Sequence, residues 1–388
     1  MPTNLILRKI TGPRAIAMWD FSWIERRWPG AGYEDWDRAL DELQERGYDA
    51  VRIDAFPHLL AYGPADKDWT LNAVWTVHDW GSPAPVKIRL LPALTGFIRK
   101  CLDRGILVSL SSWFREDTGN VRRLIHTPAE MARIWQITLD HLAREGLLEA
   151  IWFVDLCNEF PGPLWAPYFV NEPPELGWGG WHTSRAWSWI TESVSALRRA
   201  YPDVAFTYSF NPGEETLKGG QDLATLDLLE PHLWMAAANH NEFFKEVGYD
   251  FPLHEHHGYL ALQKNALRVY RARPDYWLAA LRGQIDEQVR IARRFARPLV
   301  TTECWSIIDY KDWPDLDWGW VKEGCEHGVE LAVASGVWVG IATSNFCGPQ
   351  FRGMWCDIAW HRRLTAAIKS APLASYLHAG SCSAALHN

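Results

Sequence analysis

Residues 151–160 read IWFVDLCNEF, and residues 299–306 read LVTTECWS. Each is a short apolar run of β-favouring residues that ends on a carboxylate, Glu159 in the first and Glu303 in the second. A strand that is apolar at successive positions, rather than at alternate ones, suits a parallel strand covered on both faces. An ionised side chain is costly beside such a strand unless it emerges into a polar cleft. The two stretches therefore predict buried parallel strands whose C-terminal ends open on a site.

Working outward, similar runs occur at Ala15–Trp19, Ala50–Phe56, Ile106–Trp113, Val204–Phe210, Leu229–Met235 and Val337–Thr343. Amphipathic segments alternate with them, near Tyr33–Arg46, Ile88–Arg104, Thr183–Arg199, Tyr276–Phe295, Trp318–Ala334 and Ile358–Ser370. Another helix opens at Thr127-Pro128-Ala129-Glu130, with Thr as the cap, Pro in the first turn and an early acid. The helix after the fifth run is poorly defined. A βα unit repeated eight times predicts the α/β class and a closed (β/α)8 TIM barrel, here one domain over residues 1–388. An open doubly wound sheet is the alternative, but neither GxGxxG nor GxxxxGK follows the early runs. Turns into the strands are brief, as at Gly47-Tyr48-Asp49. The loops out of them are elaborated: Pro57–Lys87, Pro161–His182 and Ala236–Asp275. In such barrels the loops after the strands build the active face.

The chain has 388 residues, 24 of them tryptophan, and a formal charge of −8. An acidic chain lacks the basic face of a nucleic-acid binder. The loops hold Trp69, Trp75, Trp80, Trp165, Trp178 and Trp181, and rigid aromatic faces suit the C–H faces of sugar rings. The N-terminal apolar run covers only Leu5–Leu7, against the roughly 7–15 residues of a secretory signal. No segment approaches the roughly 18 apolar residues of a membrane span. Seven cysteines without CxxC pairs read as free thiols in a reducing compartment, so a cytoplasmic location is expected. The oligomeric state stays open.

With Arg52 (VRID), Asn158-Glu159, His232 (EPHLW) and Glu303 in this order, the chain resembles the cellulase-type barrels of glycoside hydrolase family five, and more broadly clan A. The resemblance implies Glu159 as acid/base, Glu303 as nucleophile, Asn158 as partner of the sugar 2-hydroxyl and Arg52 as a brace for the nucleophile. It implies that His232 contacts the carboxylates, that β-linked glycosides are hydrolysed with retention, and that no metal or organic cofactor is required. Trp113, Trp234 and Trp305, at strand ends, are expected at the sugar. Two departures stand out. Ser112-Trp113 replaces the usual His at the end of strand three, and TSNFCGP puts Asn345 and Phe346 where strand eight usually carries Trp.

Walled, Trp-rich loops favour exo-action or short oligosaccharides. A catalytically silent sugar-binding protein and a transglycosylase remain as alternatives, because each keeps both glutamates. His254-Glu255-His256-His257 suggests metal only weakly, since adjacent loop residues seldom converge on one ion and the spacing is not HExxH. Asp54, Asp155, Glu214 and Glu215 are spare acids, with Asp54 a candidate ion-pair partner of Arg52. GxSxG is absent.

Overall fold

A computed structural model describes residues 5–162, 180–213, 217, 220–249, 256–312 and 316–378. Its centre is a ring of eight parallel strands. They are β1 (Arg14–Ala17), β2 (Ala50–Asp54), β3 (Leu107–Ser111), β4 (Ile151–Asp155) and β5 (Ala205–Thr207, continued by Ser209–Phe210). The ring goes on through β6 (Glu230–Pro231, continued by Leu233–Trp234), β7 (Leu299–Thr301, continued by Cys304–Trp305) and β8 (Trp338–Ile341). A continuous sheet runs β7-β8-β1-β2-β3-β4-β5. The gap between β5 and β7 is closed by short parallel pairings: Ser209 with Glu230, Leu233 with Cys304, and a bridge from Leu229 to Leu299. The predicted barrel is therefore the fold.

The side chains explain the closure. Strand residues alternate between the barrel interior and the helix layer. Arg52 on β2 meets Ser111 on β3, Asp155 on β4 and Glu230 on β6, so these share the interior. Helices cover the outside: Trp36–Glu45, Leu90–Asp103, Pro128–Arg144, Ser184–Ala200, Pro274–Phe295, Gly319–Ser335 and Ile358–Ser370. Thr127 caps the third of these by accepting from the Glu130 N–H at 3.1 Å, as its sequence predicted. At the N-terminal end of the ring, the 3₁₀ turn Leu5–Lys9 sends Lys9 Nζ to the carbonyls of Leu148, Glu149 and Ile151.

Two loops differ from expectation. The segment after β2 carries an antiparallel hairpin, Asp68–Leu71 with Val86–Arg89. Within Ala236–Asp275, read as a loop, the described residues Ala238–Val247, interrupted by left-handed backbone at Asn239, His240 and Asn241, and His256–Ala272 are helical and precede the long helix. Among the described residues β5 is followed by no α-helix before β6, only the turn Leu223–Thr225. No helix of the described residues is long and apolar enough to cross a membrane. Five of the described cysteines are buried free thiols (Cys101, Cys157, Cys304, Cys325 and Cys347), and Cys356 is exposed.

Candidate active site

Arg52 is the hub of the barrel mouth and is fully buried. A guanidinium has five N–H donors in a planar fork, so one arginine can serve several strands. Here Nε faces Asp20 at 3.4 Å, one terminal nitrogen reaches Asp155 at 3.1 Å, and the other lies 3.3 Å from Glu230 and 3.5 Å from Glu303. It also donates to Asn158 Oδ1 at 2.5 Å and to Ser111 at 2.8 Å. Asp54 is not its partner. That carboxylate accepts instead from the backbone N–H groups of Phe56 at 2.7 Å and Trp113 at 2.8 Å.

The two glutamates meet over this hub. Glu303 leaves the end of β7 and Glu159 the end of β4, and both are at least nine-tenths buried. An oxygen of each, together with a ring nitrogen of His232, falls within 4.8 Å of the others. His232 Nδ1 is 3.0 Å from Glu159 Oε1, and its Nε2 is 3.2 Å from the Arg52 guanidinium. Arginine can only donate, so Nε2 accepts and the Nδ1–H points at Glu159. Burial lowers the pKa of His232, which keeps it the neutral imidazole this arrangement needs. Glu159 holds a left-handed backbone, φ 45°, costly for a residue with a Cβ. Its N–H donates to Ser209 Oγ at 2.9 Å, which ties this strained backbone to the end of β5. The same triad has metal-ligand spacing, but the Arg52 charge already stands where a cation would compete with it.

A family model described as cellulase-like, sugar-binding cellulase-like, matches residues 16–369. The chain belongs to the cellulase-like family. A Parabacteroides distasonis structure described as a "putative glycoside hydrolase" is 50% identical, with 96% of this chain and 97% of that one covered at a TM-score of 0.91. The endo-β-1,4-mannanase of Thermotoga petrophila shares the fold at 12% identity and a TM-score of 0.53, over 94% of this chain and 78% of its own. No curated protein matches.

In this cellulase-like barrel the predicted aromatics divide. Trp113 sits at the end of β3 and donates its indole N–H to Asp20. It packs with Trp19, Trp75 and Trp80 at centroid distances of 6.5, 5.6 and 6.4 Å. Trp234 lies 5.8 Å from the His232 ring with its own indole N–H buried and unpartnered. Trp305 is fully buried, donates to the Ala342 carbonyl at 2.8 Å and packs on Trp338 and on Gly328 of the helix Gly319–Ser335. Its contacts are those of a core residue. Trp165, Trp178, Glu214, Glu215, His254 and Glu255, with the His256 side chain, lie outside the described residues.

The departures from the family-five pattern have local explanations. Asn345 ties strand ends together, accepting from the Cys304 N–H at 3.1 Å, while Phe346 packs on Trp318 and Phe351. Trp19, two residues beyond the neighbouring β1, donates its indole N–H to the Asn345 carbonyl and so brings an aromatic ring to the end of β8. Sequence reasoning missed Trp19, Asp20 and Glu230. A signal for Asp20 was present in Trp19-Asp20, an acid directly beyond the apolar run of β1.

The electrostatics follow from too many carboxylates around one cation. Burial first, then the Glu159 carboxylate, push Glu303 well above the usual carboxylate range, against the pull of Arg52. Burial also pushes Asp20 up to about 6 and Asp54 and Glu230 up to about 8. An acid raised in the fold keeps its proton while the unfolded chain loses its own, so stability falls as pH rises between the two pKa values. For Glu230 that window runs from its ordinary 4.5 to about 8. The expected result is that Glu230→Gln gains melting temperature relative to wild type as pH rises from 5 to 8. A constant difference would show Glu230 ionised throughout.

Proposed function

We propose that the chain is a retaining glycoside hydrolase that cleaves β-linked glycosides by double displacement. The observation that supports this best is the separation of the carboxylates: an oxygen of Glu159 lies within 4.8 Å of one of Glu303. Retaining enzymes hold their carboxyl groups about 5–5.5 Å apart, whereas inverting ones leave about 6.5–9.5 Å for a water. Glu303 Oε1 accepts no hydrogen bond from the described residues, which leaves its lone pairs for the anomeric carbon. In the first step Glu303 forms the glycosyl ester as Glu159 gives its proton to the departing oxygen. In the second, Glu159 takes a proton from water, and the water oxygen displaces Glu303.

Asn158 completes the arrangement. Its Oδ1 is taken by Arg52, and its buried Nδ2 has no partner among the described residues, so it can donate to the sugar 2-hydroxyl. Asn158→Ala should lower kcat/KM by about 10–100-fold, since leaving a buried hydrogen-bonding group without its partner costs about 1–3 kcal/mol. On a 2-deoxy glycoside the loss should largely vanish. Equal losses on both substrates would mean that Asn158 serves Arg52 alone.

The packed aromatic wall supports exo-action or short oligosaccharides, and rapid viscosity loss on a polymer would contradict this. Five buried thiols support work in a reducing compartment such as the cytoplasm. Residues 1–388 are taken as one catalytic domain. The second reading is a silent sugar-binding protein, favoured by Ser112 where the family-five pattern has His. It predicts oligosaccharide binding without turnover. Turnover of aryl β-glycosides, abolished in Glu303→Gln, separates the two.

A further inference from the structure

We infer that Asp20 is a positioning residue for Glu303, and that by holding the Nε side of Arg52 it sets the pH at which the nucleophile ionises. The inference rests on Glu303 being that nucleophile. Asp20 follows β1, is wholly buried, and lies 3.4 Å from Arg52 Nε. Its Oδ2 accepts the Trp113 indole N–H, while Oδ1 has no partner. A neutral amide would satisfy the indole equally well. Packing therefore does not explain a carboxylate here, because burying a charge is costly unless it is used.

The use is electrostatic. Arg52 is one positive charge facing Asp20 beyond β1, Asp155 on β4, Glu230 on β6 and Glu303 on β7, the last at 3.5 Å. Glu303 also faces Glu159 on β4 and neutral His232 on β6. Each ionised acid on the guanidinium weakens what it can do for the others. Asp20, pushed up to about 6 by burial, gains its charge as pH rises through that value and then holds Glu303 protonated to higher pH. Removing that charge lowers the pH at which Glu303 ionises. At an effective dielectric near 20, a unit charge several ångströms away is worth on the order of one pH unit or more.

The test is kcat/KM against pH for wild type and Asp20→Asn on one aryl β-glycoside that wild type hydrolyses. The acid limb should move down by about one unit, so that one unit below the wild-type midpoint the variant keeps about a fivefold larger share of its plateau. An unmoved or upshifted limb overturns the inference, whatever happens to the plateau, because a merely structural role lowers the plateau alone. Asp20→Ser, which also removes the charge but leaves a small acceptor, must move the limb the same way and decides the matter if the Asn variant does not fold. Glu303→Gln run alongside keeps the two ideas apart. If it stays active the nucleophile assignment fails, and if it is dead while the limb is unmoved only the role of Asp20 fails.

Discussion

Glu303→Gln should reduce turnover of a β-glycoside by about 10⁴-fold or more while leaving the fold intact, since a group acting at the reacting centre carries a large and unshared part of catalysis. The amide keeps the size of the carboxylate, and Arg52 at 3.5 Å loses one of four acidic neighbours, so the variant should be no less stable than wild type. Glu159→Gln should behave differently. Its loss in kcat/KM should be severe for a sugar leaving group and mild for an activated aryl leaving group that departs without a proton, while kcat falls on both because the second step lacks its base. Steady-state kinetics on a disaccharide and on a nitrophenyl glycoside check this. A Glu159 variant with kcat/KM equally impaired on both would deny it the role of proton donor.

Arg52→Met carries the second large effect, this time on the fold. The change leaves Asp20, Asp155, Glu230 and Glu303 buried around an apolar side chain. Removing one partner of a buried ion pair typically costs about 3–5 kcal/mol, because the remaining charge is stranded. Urea unfolding should show a deficit of that size at neutral pH, with activity lost as well. The deficit should shrink as pH falls, since the stranded acids then take up protons and cease to be charges. A deficit independent of pH would mean that Arg52 acts by packing alone.

The barrel and the central pair were legible because the same residues encode both. Apolar runs that must be buried as parallel strands end on Glu159 and Glu303, where only a polar cleft would tolerate an acid. The hub was half legible: Arg52 announces itself inside an apolar strand, but its partners do not. Glu230 precedes Pro231 and looks like a turn acid, although it is wholly buried. Asp20 stands directly beyond the apolar run of β1, but that pattern does not tell an acid turned into the barrel from one that opens a turn. The helix His256–Ala272 was hidden behind the His-rich segment that begins it. Its buried Tyr259, Leu262, Ala266, Val269 and Tyr270 keep the helical spacing that could have revealed it. Trp305 shows the converse, a strand-end aromatic that pattern alone cannot distinguish from a sugar platform, turned into core packing.

The most direct test of double displacement by this pair is to trap its intermediate. The enzyme is incubated with a 2-deoxy-2-fluoro β-glycosyl fluoride of a sugar it hydrolyses, digested, and the labelled peptide sequenced by mass spectrometry. Double displacement by Glu303 predicts one glycosyl ester, on that residue, and hydrolysis products that keep the β configuration. A label on any other residue, or an inverted product with no label, would contradict it.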